Sequence, residues 1–297
     1  MDDIGYSGQL YNNKTHAIKV RTGDDILNAA KDAVCGELMV AKGGQFPGLY
    51  IATKTSGEDI ELCRVSEVTP ENKLPIDHDY SLSFDGVDNF VNLGSSADFD
   101  SLSEFTISAW IKPDSFSGYP MILAKTNATV GKAFQLYIDE SSSKPTLTVN
   151  FSSSASSTDT ISTGVWTHIA VTWTSGTGAV AFYVNGSASG TATGSTSITA
   201  NTDDCCIGAK PSGSEFSNFF NGIMDEVSFF NSALSASDIT AIYNSGVPTD
   251  LTSYSPVSWW RMGDAEDGSG TTITDQGSGG NDGTINGATF STDTPSI

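Results

Sequence analysis

The 297-residue sequence is short of positive charge, histidine, cysteine and long apolar runs. It has only 14 Lys and Arg against 35 Asp and Glu, which gives a formal net charge of -21. A surface of this sign repels phosphate backbones and anionic lipids, so the sequence predicts no nucleic-acid partner. No apolar run approaches the roughly 20 residues of a membrane-spanning helix, which predicts no membrane insertion.

The charge is unevenly placed along the chain. Residues 1–75 hold 8 of the 14 basic and 11 of the 35 acidic side chains, so residues 76–297 hold 6 and 24. Solubility alone accounts for such an acidic surface, and binding of cations or neutral ligands stays open as an alternative. Together with a change in composition, the asymmetry predicts two domains, 1–75 and 76–297.

The few cysteines show no metal-ligand spacing. We interpret Cys35, Cys63, Cys205 and Cys206 as reduced packing residues, with a bridge between Cys35 and Cys63 as the alternative. Cys205 and Cys206 are adjacent, so a strand would point them to opposite faces.

Two of the three histidines lie in the larger part of the chain. His78, between Asp77 and Asp79 in the segment TPENKLPIDHDY, is interpreted as a solvated linker side chain and not as a metal ligand. His168 falls within a predicted strand without a nearby Ser or Cys motif. We therefore interpret it as a packed or surface residue and not as a catalytic base.

Residues 1–75 predict a small α+β domain. Ile26, Ala29, Ala30 and Ala33 recur at helical spacing, and strands are predicted over 37–41, 49–53 and 60–68. A domain of this size is marginal alone, which predicts a partner surface or self-association as a trimer or dimer. The first residues, MDDIGYSGQLYNNKTHAIKV, lack the basic and apolar regions of a secretory signal, which predicts synthesis in a cytosol without export.

The stretch GVWTHIAVTWTSGTGAVAFYVNG over 164–186 is the most regular β pattern in the chain. Val165, Ile169, Val171 and Trp173 alternate with smaller residues, and Val180, Phe182 and Val184 repeat the period after the turn SGTG. The pattern predicts an antiparallel hairpin, and Asn185-Gly186 predicts a second turn. About a dozen such strands from Tyr80 onward, with turns between them, predict an all-β sandwich or jelly roll.

One helix is predicted among these strands. Ser235 and Asp238 stand in capping-box order, and Ile239, Ile242 and Tyr243 supply an apolar face. Gly246 and Pro248 are typical of a helix end.

The order of these blocks carries a family resemblance over about residues 80–247. SLSFDGVDNFVNLG, FTISAWIKP, GVWTHIAVTW with AFYVNG, and NGIMDEVSFFNSALSASDITAIYNSG resemble the laminin G-like domains of the concanavalin A-like lectin/glucanase superfamily. The resemblance implies a two-sheet antiparallel jelly roll, often with a structural calcium ion. It also implies glycan or protein binding through loops at the sheet edge.

The tail, SPVSWWRMGDAEDGSGTTITDQGSGGNDGTINGATF, resembles a block that in the family usually precedes the FDG strand. We favour a tail in which residues 251–297 complete the sandwich, because Trp259, Trp260, Ile273 and Ile285 need a core to enter. The alternative is the start of a second, truncated repeat.

The resemblance also suggests a calcium site. The turn Asp85, Asp88, Asn89 offers several oxygen ligands, and Asp225 matches an acidic position of the family. Asp275 and Asp282 are further candidates. The alternative is that Asp85 and Asp88 are turn formers that bond their own backbone.

Aromatic side chains in turn-rich segments are candidates for stacking on the apolar faces of sugars. They are Phe116, Tyr119, Phe216, Phe219 and Phe220.

Glucanases of the superfamily carry an E-x-D-x-x-E run, which this chain lacks. The adjacent pairs Asp225-Glu226 and Asp139-Glu140 are predicted to face opposite sides of their strands, where they cannot flank one glycosidic bond. The sequence therefore predicts a protein that is not an enzyme.

The first 75 residues are similar to small modules of phage structural proteins. The resemblance therefore implies a phage virion protein, a capsid decoration or a head or tail fibre component made in the host cytoplasm. The N-terminal domain would dock to the major capsid protein or another virion protein, and the laminin G-like domain would face outward from the virion surface. On the virion the domain would adhere to host cell-surface glycans. The alternative is a glycan-binding lectin or adhesin that is not tied to a virion, and a glycan hydrolase is the third reading.

Overall fold

The computed structural model describes residues 78–126, 133–150 and 153–295, and five earlier strands by their backbone alone. The chain divides into two compact units, Met1–Leu74 and Pro75–Ile297. No helix in the described part of the chain is long and apolar enough to cross a membrane.

The first unit contains one five-stranded sheet in sequential order. Its strands are β1 (Tyr6–Asn12), β2 (His16–Gly23), β3 (Leu38–Ala41), β4 (Gly48–Lys54) and β5 (Ile60–Arg64). β2 and β3 are parallel, and the other neighbours are antiparallel. The three predicted strands correspond to β3, β4 and β5, whereas β1 and β2 were not predicted. The predicted helix from Ile26, and the side chains of Cys35 and Cys63, lie outside the described residues.

The described part of the second unit consists of short strands, one α-helix and a few 3-10 turns. In chain order the strands are β6 (Ser81–Asp85), β7 (Phe90–Asn92), β8 (Glu104–Pro113), β9 (Met121–Lys125), β10 (Phe134–Asp139), β11 (Lys144–Val149), β12 (Ser153–Ser156), β13 (Thr167–Thr174), β14 (Ala179–Val184), β15 (Ser187–Thr193), β16 (Cys205–Ile207), β17 (Lys210–Ser212), β18 (Glu215–Ser217), β19 (Asn221–Phe230), β20 (Ser258–Trp260), β21 (Thr272–Ile273), β22 (Gly283–Asn286) and β23 (Thr289–Ser291). The helix is α1 (Ala236–Tyr243).

These strands form two large antiparallel sheets. Sheet I has the order β12-β11-β10-β9-β16-β7-β22-β21, and sheet II has the order β15-β14-β13-β8-β19-β6-β23, with β20 also paired to β19. β17 and β18 form a separate hairpin. The predicted all-β sandwich of laminin G-like type is therefore confirmed.

Side chains at alternate positions of both sheets fill one apolar core. Phe105 stacks on Trp173 with ring centroids 5.2 Å apart, and Phe229 stacks on both Phe105 and Phe134 at 5.7 Å and 5.6 Å. Lys125 enters this interior with a fully buried side chain and pairs with Asp100 at 2.9 Å. The core thus explains why apolar residues alternate along β8, β10 and β13.

The hairpin predicted from the sequence is β13 and β14, and Ile169, Val171, Trp173, Val180 and Phe182 are all buried. Val165 is the exception, because it precedes β13 and is 54% exposed. Asn185 and Gly186 form the two-residue turn to β15 with φ values of 49° and 70°. A Cβ atom at Gly186 would lie 2.7 Å from the Tyr243 ring, so both the turn and the helix packing require glycine there.

Helix α1 packs on the outer surface of sheet II. The predicted capping box is present between Ser235 and Asp238, and the helix ends at Asn244 in a left-handed conformation. Ile239 packs with Ala170 and Tyr183 of the sheet, while Ile242 packs with a second group of side chains. This group consists of Phe230, Leu251 and Trp259.

The C-terminal tail contributes strands to both sheets. β20 pairs with β19, β22 pairs with β7, and β23 pairs with β6. Trp260 and Ile273 are fully buried in the shared core, and Ile285 packs against it. Residues 251–295 therefore form part of the same sandwich as residues 78–250.

Candidate functional site

The outer surface of sheet I carries a row of small and polar side chains. One cross-strand row of sheet I faces the core and contains Val91, Leu123, Leu136 and Leu147. The residues next to these along each strand point away from the core. The cross-strand register aligns the outward residues, which we call the outer row: Thr284, Asn92, Cys206, Ala124, Gln135, Thr148 and Ser154. Cys205, one residue away from Cys206, belongs to the core cluster, and both thiols are free and buried as predicted.

Hydroxyl and amide groups occupy one end of this outer row. Thr148 and Ser154 are hydrogen-bonded through their hydroxyl oxygens at 2.9 Å, as are Thr146 and Ser156. Gln135 is 5% exposed, and its Nε2 atom has no hydrogen-bond partner among the described residues. An unpaired buried amide is costly unless a ligand or water accepts its hydrogens.

Two tyrosines border these polar groups. Tyr119 is 43% exposed and lies edge-on to Tyr137, with ring centroids 6.2 Å apart. The Tyr137 hydroxyl donates to Ser154 Oγ at 3.4 Å. Tyr119 has a φ of 56°, a left-handed conformation that non-glycine residues seldom adopt and that is enriched at binding sites. We call Tyr119, Gln135, Tyr137, Thr148 and Ser154 the tyrosine edge.

The other predicted aromatic residues are packed to different degrees. Phe116 is partly buried against the core, and Phe216 stacks on Phe90 with ring centroids 4.1 Å apart. Phe219 is half-buried. Phe220 does not belong to an exposed patch, because it is fully buried and packs edge-on against Phe84 in the core.

The residues of the predicted calcium set do not form one site. Asp85 and Asp88 are exposed, and Asp85 Oδ1 accepts hydrogen bonds from the backbone of Val87 and Asp88 at 2.8 Å and 3.3 Å. Asn89 is buried. Asp85 pairs with Asn221, and Asp225 lies four residues further along β19, about 13 Å away at ~3.3 Å per residue. One ion cannot bind both carboxylates, so calcium binding at the turn stays a prediction separate from Asp225.

Asp225 and Glu226 lie on the same side of sheet II, so the prediction that they face opposite sides is wrong. The register between β19 and β8 shifts between Asp225 and Ser228, and Glu226 has a φ of 50°. This β-bulge turns the second carboxylate toward the first. Asp225 is 0% exposed and Glu226 is 3% exposed.

The interpretation of His78 as a solvated side chain is also wrong, because the side chain is only 9% exposed. Its Nδ1 atom lies 3.2 Å from Glu226 Oε1 and 3.7 Å from Asp264 Oδ2. Asp264 Oδ1 accepts from the backbone N–H groups of Asp79 and Tyr80, both at 2.9 Å, which fixes the segment that carries the histidine.

Arg261 and Trp259 complete this cluster from the C-terminal tail. Arg261 lies 3.0 Å from Asp264 Oδ2 and 3.4 Å from Glu226 Oε1, and Trp259 Nε1 donates to Glu226 Oε2. We call His78, Asp225, Glu226, Arg261 and Asp264 the buried ionic cluster. It forms where β6 begins and β20 ends along β19, so residues distant in sequence meet there.

Burial dominates the electrostatics of this cluster. Burial raises the pKa of Asp225 well above its ordinary value, and the neighbouring Glu226 and Asp264 carboxylates add to the effect. Burial also raises the pKa of Asp264 to about 6, although Arg261 acts in the opposite direction. Among the described residues the cluster holds three carboxyl groups, one arginine and one histidine.

Other groups considered for chemistry have structural roles. His168 is fully buried and bonds Ser108 Oγ through Nε2 at 2.8 Å, and burial lowers its pKa to about 3. Asp139 Oδ1 accepts from the hydroxyl and backbone of Ser141 and Ser142, and these bonds lower its pKa. Glu140 accepts from the backbone of Gly118 at 3.0 Å.

Asp275 and Asp282 organise the glycine-rich loop of the tail. Asp275 Oδ1 accepts from the backbone of Trp259 at 2.8 Å and of Gly277 at 2.7 Å, and Oδ2 accepts from the backbone of Asn281 at 2.9 Å. Asp282 Oδ1 accepts from the backbone of Asp275. Backbone donors therefore occupy both Asp275 oxygens.

Sequence reasoning missed the buried ionic cluster as a unit. His78 lies 147 residues before Asp225, and Asp225 lies 39 residues before Asp264. No local motif joins the three. The one available signal was the excess of acidic residues over basic ones after residue 75.

Comparisons with known proteins agree with the sandwich fold. A family model described as the concanavalin A-like lectin/glucanases superfamily matches residues 85–240. No curated protein sequence matches the chain. The structure is similar to that of a Bacteroides ovatus protein provisionally described as carbohydrate-binding, with a TM-score of 0.61 and 20% identity over 89% of this chain and 72% of that one.

Two further solved structures are similar at lower TM-scores. A pentraxin from Limulus polyphemus gives a TM-score of 0.46 with 23% identity, over 56% of this chain and 82% of that one. A sialidase carbohydrate-binding module from Ruminococcus gnavus gives 0.47 with 14% identity, over 54% and 96%. These two similarities concern the fold alone. The family match covers more than half of the sequence, and the chain belongs to the concanavalin A-like lectin/glucanase superfamily.

Proposed function

We propose that this protein is a non-catalytic carbohydrate-binding protein whose tyrosine edge binds a glycan. The observation that carries the proposal is the exposed Tyr119 ring in a left-handed backbone conformation, next to Tyr137 and the unpaired Gln135 amide. Strained backbone persists where the surrounding structure holds it, and such positions cluster at binding sites.

The chemistry of the tyrosine edge suits a sugar. An exposed aromatic ring can pack on the apolar C–H face of a pyranose, while amide and hydroxyl groups bond its hydroxyls. Ser154 is exposed and offers a hydroxyl oxygen that both donates and accepts, whereas the unpaired Gln135 amide and the Thr148 hydroxyl are buried in the same outer row. The B. ovatus protein's provisional description as carbohydrate-binding is consistent with this proposal.

The burial of Asp225 and Glu226 argues against glycan hydrolysis at this pair. Asp225 and Glu226 are the carboxylate pair that the β-bulge brings together, but both are buried. The cavity that touches Glu226 has a volume of about 10 Å³, which is the size of one water molecule and too small for a sugar ring. A glycosidase needs both carboxylates beside a bound sugar.

A glycan array probed with the full-length protein tests the proposal. Binding is expected to fall at least tenfold in Tyr119→Ala, because stacking is lost, and to fall separately in Ser154→Ala, because the exposed hydroxyl is lost. Val165→Ala is the matched control, since Val165 is also a large exposed apolar residue but precedes β13 of sheet II. Absence of binding to any glycan, or equal binding by all variants, contradicts the proposal.

Display of this domain on a phage virion is a second candidate function. The division into two compact units at Leu74 and Pro75 and the uneven charge support it. We propose that the first unit docks to a capsid or other virion protein and that the chain forms a trimer or dimer. Labelling of purified virions with an antibody against the second unit, together with the mass of the full-length protein in solution, tests this. An unlabelled virion and a monomer would count against it.

A further inference from the structure

His78 presents its Nδ1 atom to buried carboxylates. Its Nε2 atom lies 3.2 Å from the carbonyl oxygen of Pro248. A carbonyl only accepts hydrogen bonds, so Nε2 carries the hydrogen of the neutral ring and Nδ1 carries the lone pair. The hydrogen bond thereby fixes both the tautomer and the orientation of the ring.

The atoms that face Nδ1 are also acceptors. Glu226 Oε1 and Asp264 Oδ2 lie 3.2 Å and 3.7 Å away, and Nδ1 forms no hydrogen bond. Asp225 Oδ2 is likewise without a hydrogen-bond partner, although its residue is 0% exposed. One ligand atom from each of His78, Asp225 and Glu226 lies within 4.8 Å of the others. Acceptors that face one another in a dry interior repel unless a proton or a metal cation lies between them.

Arg261 supplies only part of that charge. It contacts Asp264 Oδ2 and Glu226 Oε1 at the outer side of the cluster. Its single charge is shared between the carboxyl groups of Asp264 and Glu226, which it contacts at 3.0 Å and 3.4 Å. The position between His78 Nδ1, Asp225 and Glu226 is thus the place where a cation would satisfy all three.

We propose that His78 Nδ1, Asp225 and Glu226 bind a divalent first-row transition metal ion, for which Zn²⁺ is the probe. A set of one imidazole and two carboxylates suits zinc-like ions, whereas calcium and magnesium take oxygen ligands. The Nε2–H bond to Pro248 is the outer contact that metal-binding histidines usually make. This site is independent of the proposed glycan binding, because it lies on sheet II and not on sheet I.

The geometry is close to that of a formed site. Ligand atoms about 2.1 Å from a tetrahedral zinc ion lie about 3.4 Å apart, so side-chain shifts of about an ångström close the site. A cavity of about 10 Å³ beside Glu226, lined also by Ser108, Trp110 and Pro248, has room for one water molecule.

Zinc titration of the full-length, chelator-stripped protein tests the proposal. Competition with a coloured zinc chelator is expected to give one tight site, and Zn²⁺ is expected to raise the melting temperature by several degrees. Calcium at the same concentration is expected to leave the melting temperature unchanged. The variant His78→Gln keeps an N–H donor for Pro248 but lacks the ring lone pair, so zinc affinity should fall at least 100-fold while the metal-free protein stays folded.

Asp79→Asn is the matched control. Asp79 is exposed and adjacent to His78, and its backbone alone contacts Asp264. This variant is expected to bind zinc like the original protein. Asp225→Asn provides an independent ligand variant with the same shape, and it should lose zinc binding in parallel with His78→Gln.

Nitrogen NMR of the histidine rings separates the proposal from its main competitor, a doubly protonated His78 paired with the carboxylates. The expected result at pH 7.5 is a neutral ring with hydrogen on Nε2, and an Nδ1 resonance that shifts when Zn²⁺ is added. A ring that is doubly protonated with and without zinc overturns the proposal. Equal zinc affinity in the original protein and in His78→Gln overturns it as well.

Discussion

Glu226 directly follows Asp225 in β19, yet the two carboxylates meet on one side of sheet II. The β-bulge, with a left-handed φ of 50° at Glu226, cancels the normal alternation of side chains at this point of the strand. Such a conformation costs on the order of 1 kcal/mol for a residue with a side chain. The strain lies within the buried ionic cluster, where it assembles the pair that we propose to bind a metal.

The strained backbone predicts an unusual order of stability at position 226. Glu226→Ala loses the hydrogen bond to Trp259 and keeps the strain, whereas Glu226→Gly loses the same bond and removes the strain. We expect the glycine variant to be the more stable of the two by about 1 kcal/mol. Urea unfolding in the presence of a chelator measures the difference.

Thr172 in β13 is the control position for this comparison. It lies in regular strand pairing with Thr106 and Ala181, so Thr172→Gly should be less stable than Thr172→Ala. If the alanine variant is the more stable one at both positions, Glu226 has no backbone strain for glycine to release.

The buried His168 predicts a pH dependence of stability. Its pKa is about 3 in the folded protein, because burial disfavours the charged ring, against an ordinary value of 6.5. Above pH 6.5 the ring is neutral in both states, so its full contribution to stability is present. As pH falls from 6.5 toward 3, only the unfolded chain takes up the proton, and stability decreases by up to about 1.4 kcal/mol per pH unit.

The variant His168→Gln isolates this effect. Glutamine keeps a hydrogen-bonding group for Ser108 but does not titrate in this range. The free energy of unfolding of the original protein minus that of the variant is expected to fall steadily from pH 6.5 to pH 4, while contributions from Asp225 and Asp264 cancel. A difference that is constant with pH contradicts burial of a neutral ring.

Because the C-terminal tail contributes strands to both sheets, we predict that residues before and after position 250 unfold in one cooperative transition. Trp260 is fully buried, packs near Phe99 and donates from Nε1 to the carbonyl of Asn281 at 2.8 Å. We expect Trp260→Ala to destabilise the whole sandwich by about 3–5 kcal/mol.

Val165→Ala is the control, because a change at an exposed residue should stay within about 0.5 kcal/mol. Circular dichroism and tryptophan fluorescence should report the same midpoint for each variant. If Trp260→Ala shifts the midpoint of only part of the fluorescence change and leaves the midpoint of the circular dichroism change unaltered, the tail unfolds as an independent repeat.

Periodic patterns made most of the sandwich predictable. Alternation identified the core residues of β6, β8, β13 and β14, and the capping box at Ser235 located α1. These features depend on neighbours in sequence, so a single chain contains the information. The resemblance then supplied the class of fold, which local patterns leave open between sandwich and jelly roll.

The sites were less predictable because they depend on distant residues and on exceptions to alternation. His78 lies in a segment of turn-forming composition, and only Asp264, 186 residues later, holds that segment against the sheet. The bulge at Glu226 leaves no mark in the hydrophobic pattern. Phe220 follows a loop-like stretch yet enters the core, because β19 begins at the next residue.

Asp275 predicts how much one buried carboxylate contributes to the loop over 275–282. Its two oxygens accept three backbone hydrogen bonds, from Trp259, Gly277 and Asn281, and the side chain is 8% exposed. Asp275→Ala leaves these donors without their acceptor near the core, so we expect a loss of about 3 kcal/mol in the free energy of unfolding. Asp275→Asn keeps one acceptor oxygen but turns the other group into a donor that faces the Asn281 N–H, so about half of that loss is expected. Urea unfolding of the two variants at pH 7.5 measures both values.

Asp282→Ala removes only the bond to the Asp275 backbone and should cost about 1 kcal/mol, because Asp282 is exposed. Equal effects at 275 and 282 would mean that the loop is held by its turn conformation and not by the carboxylate at its base.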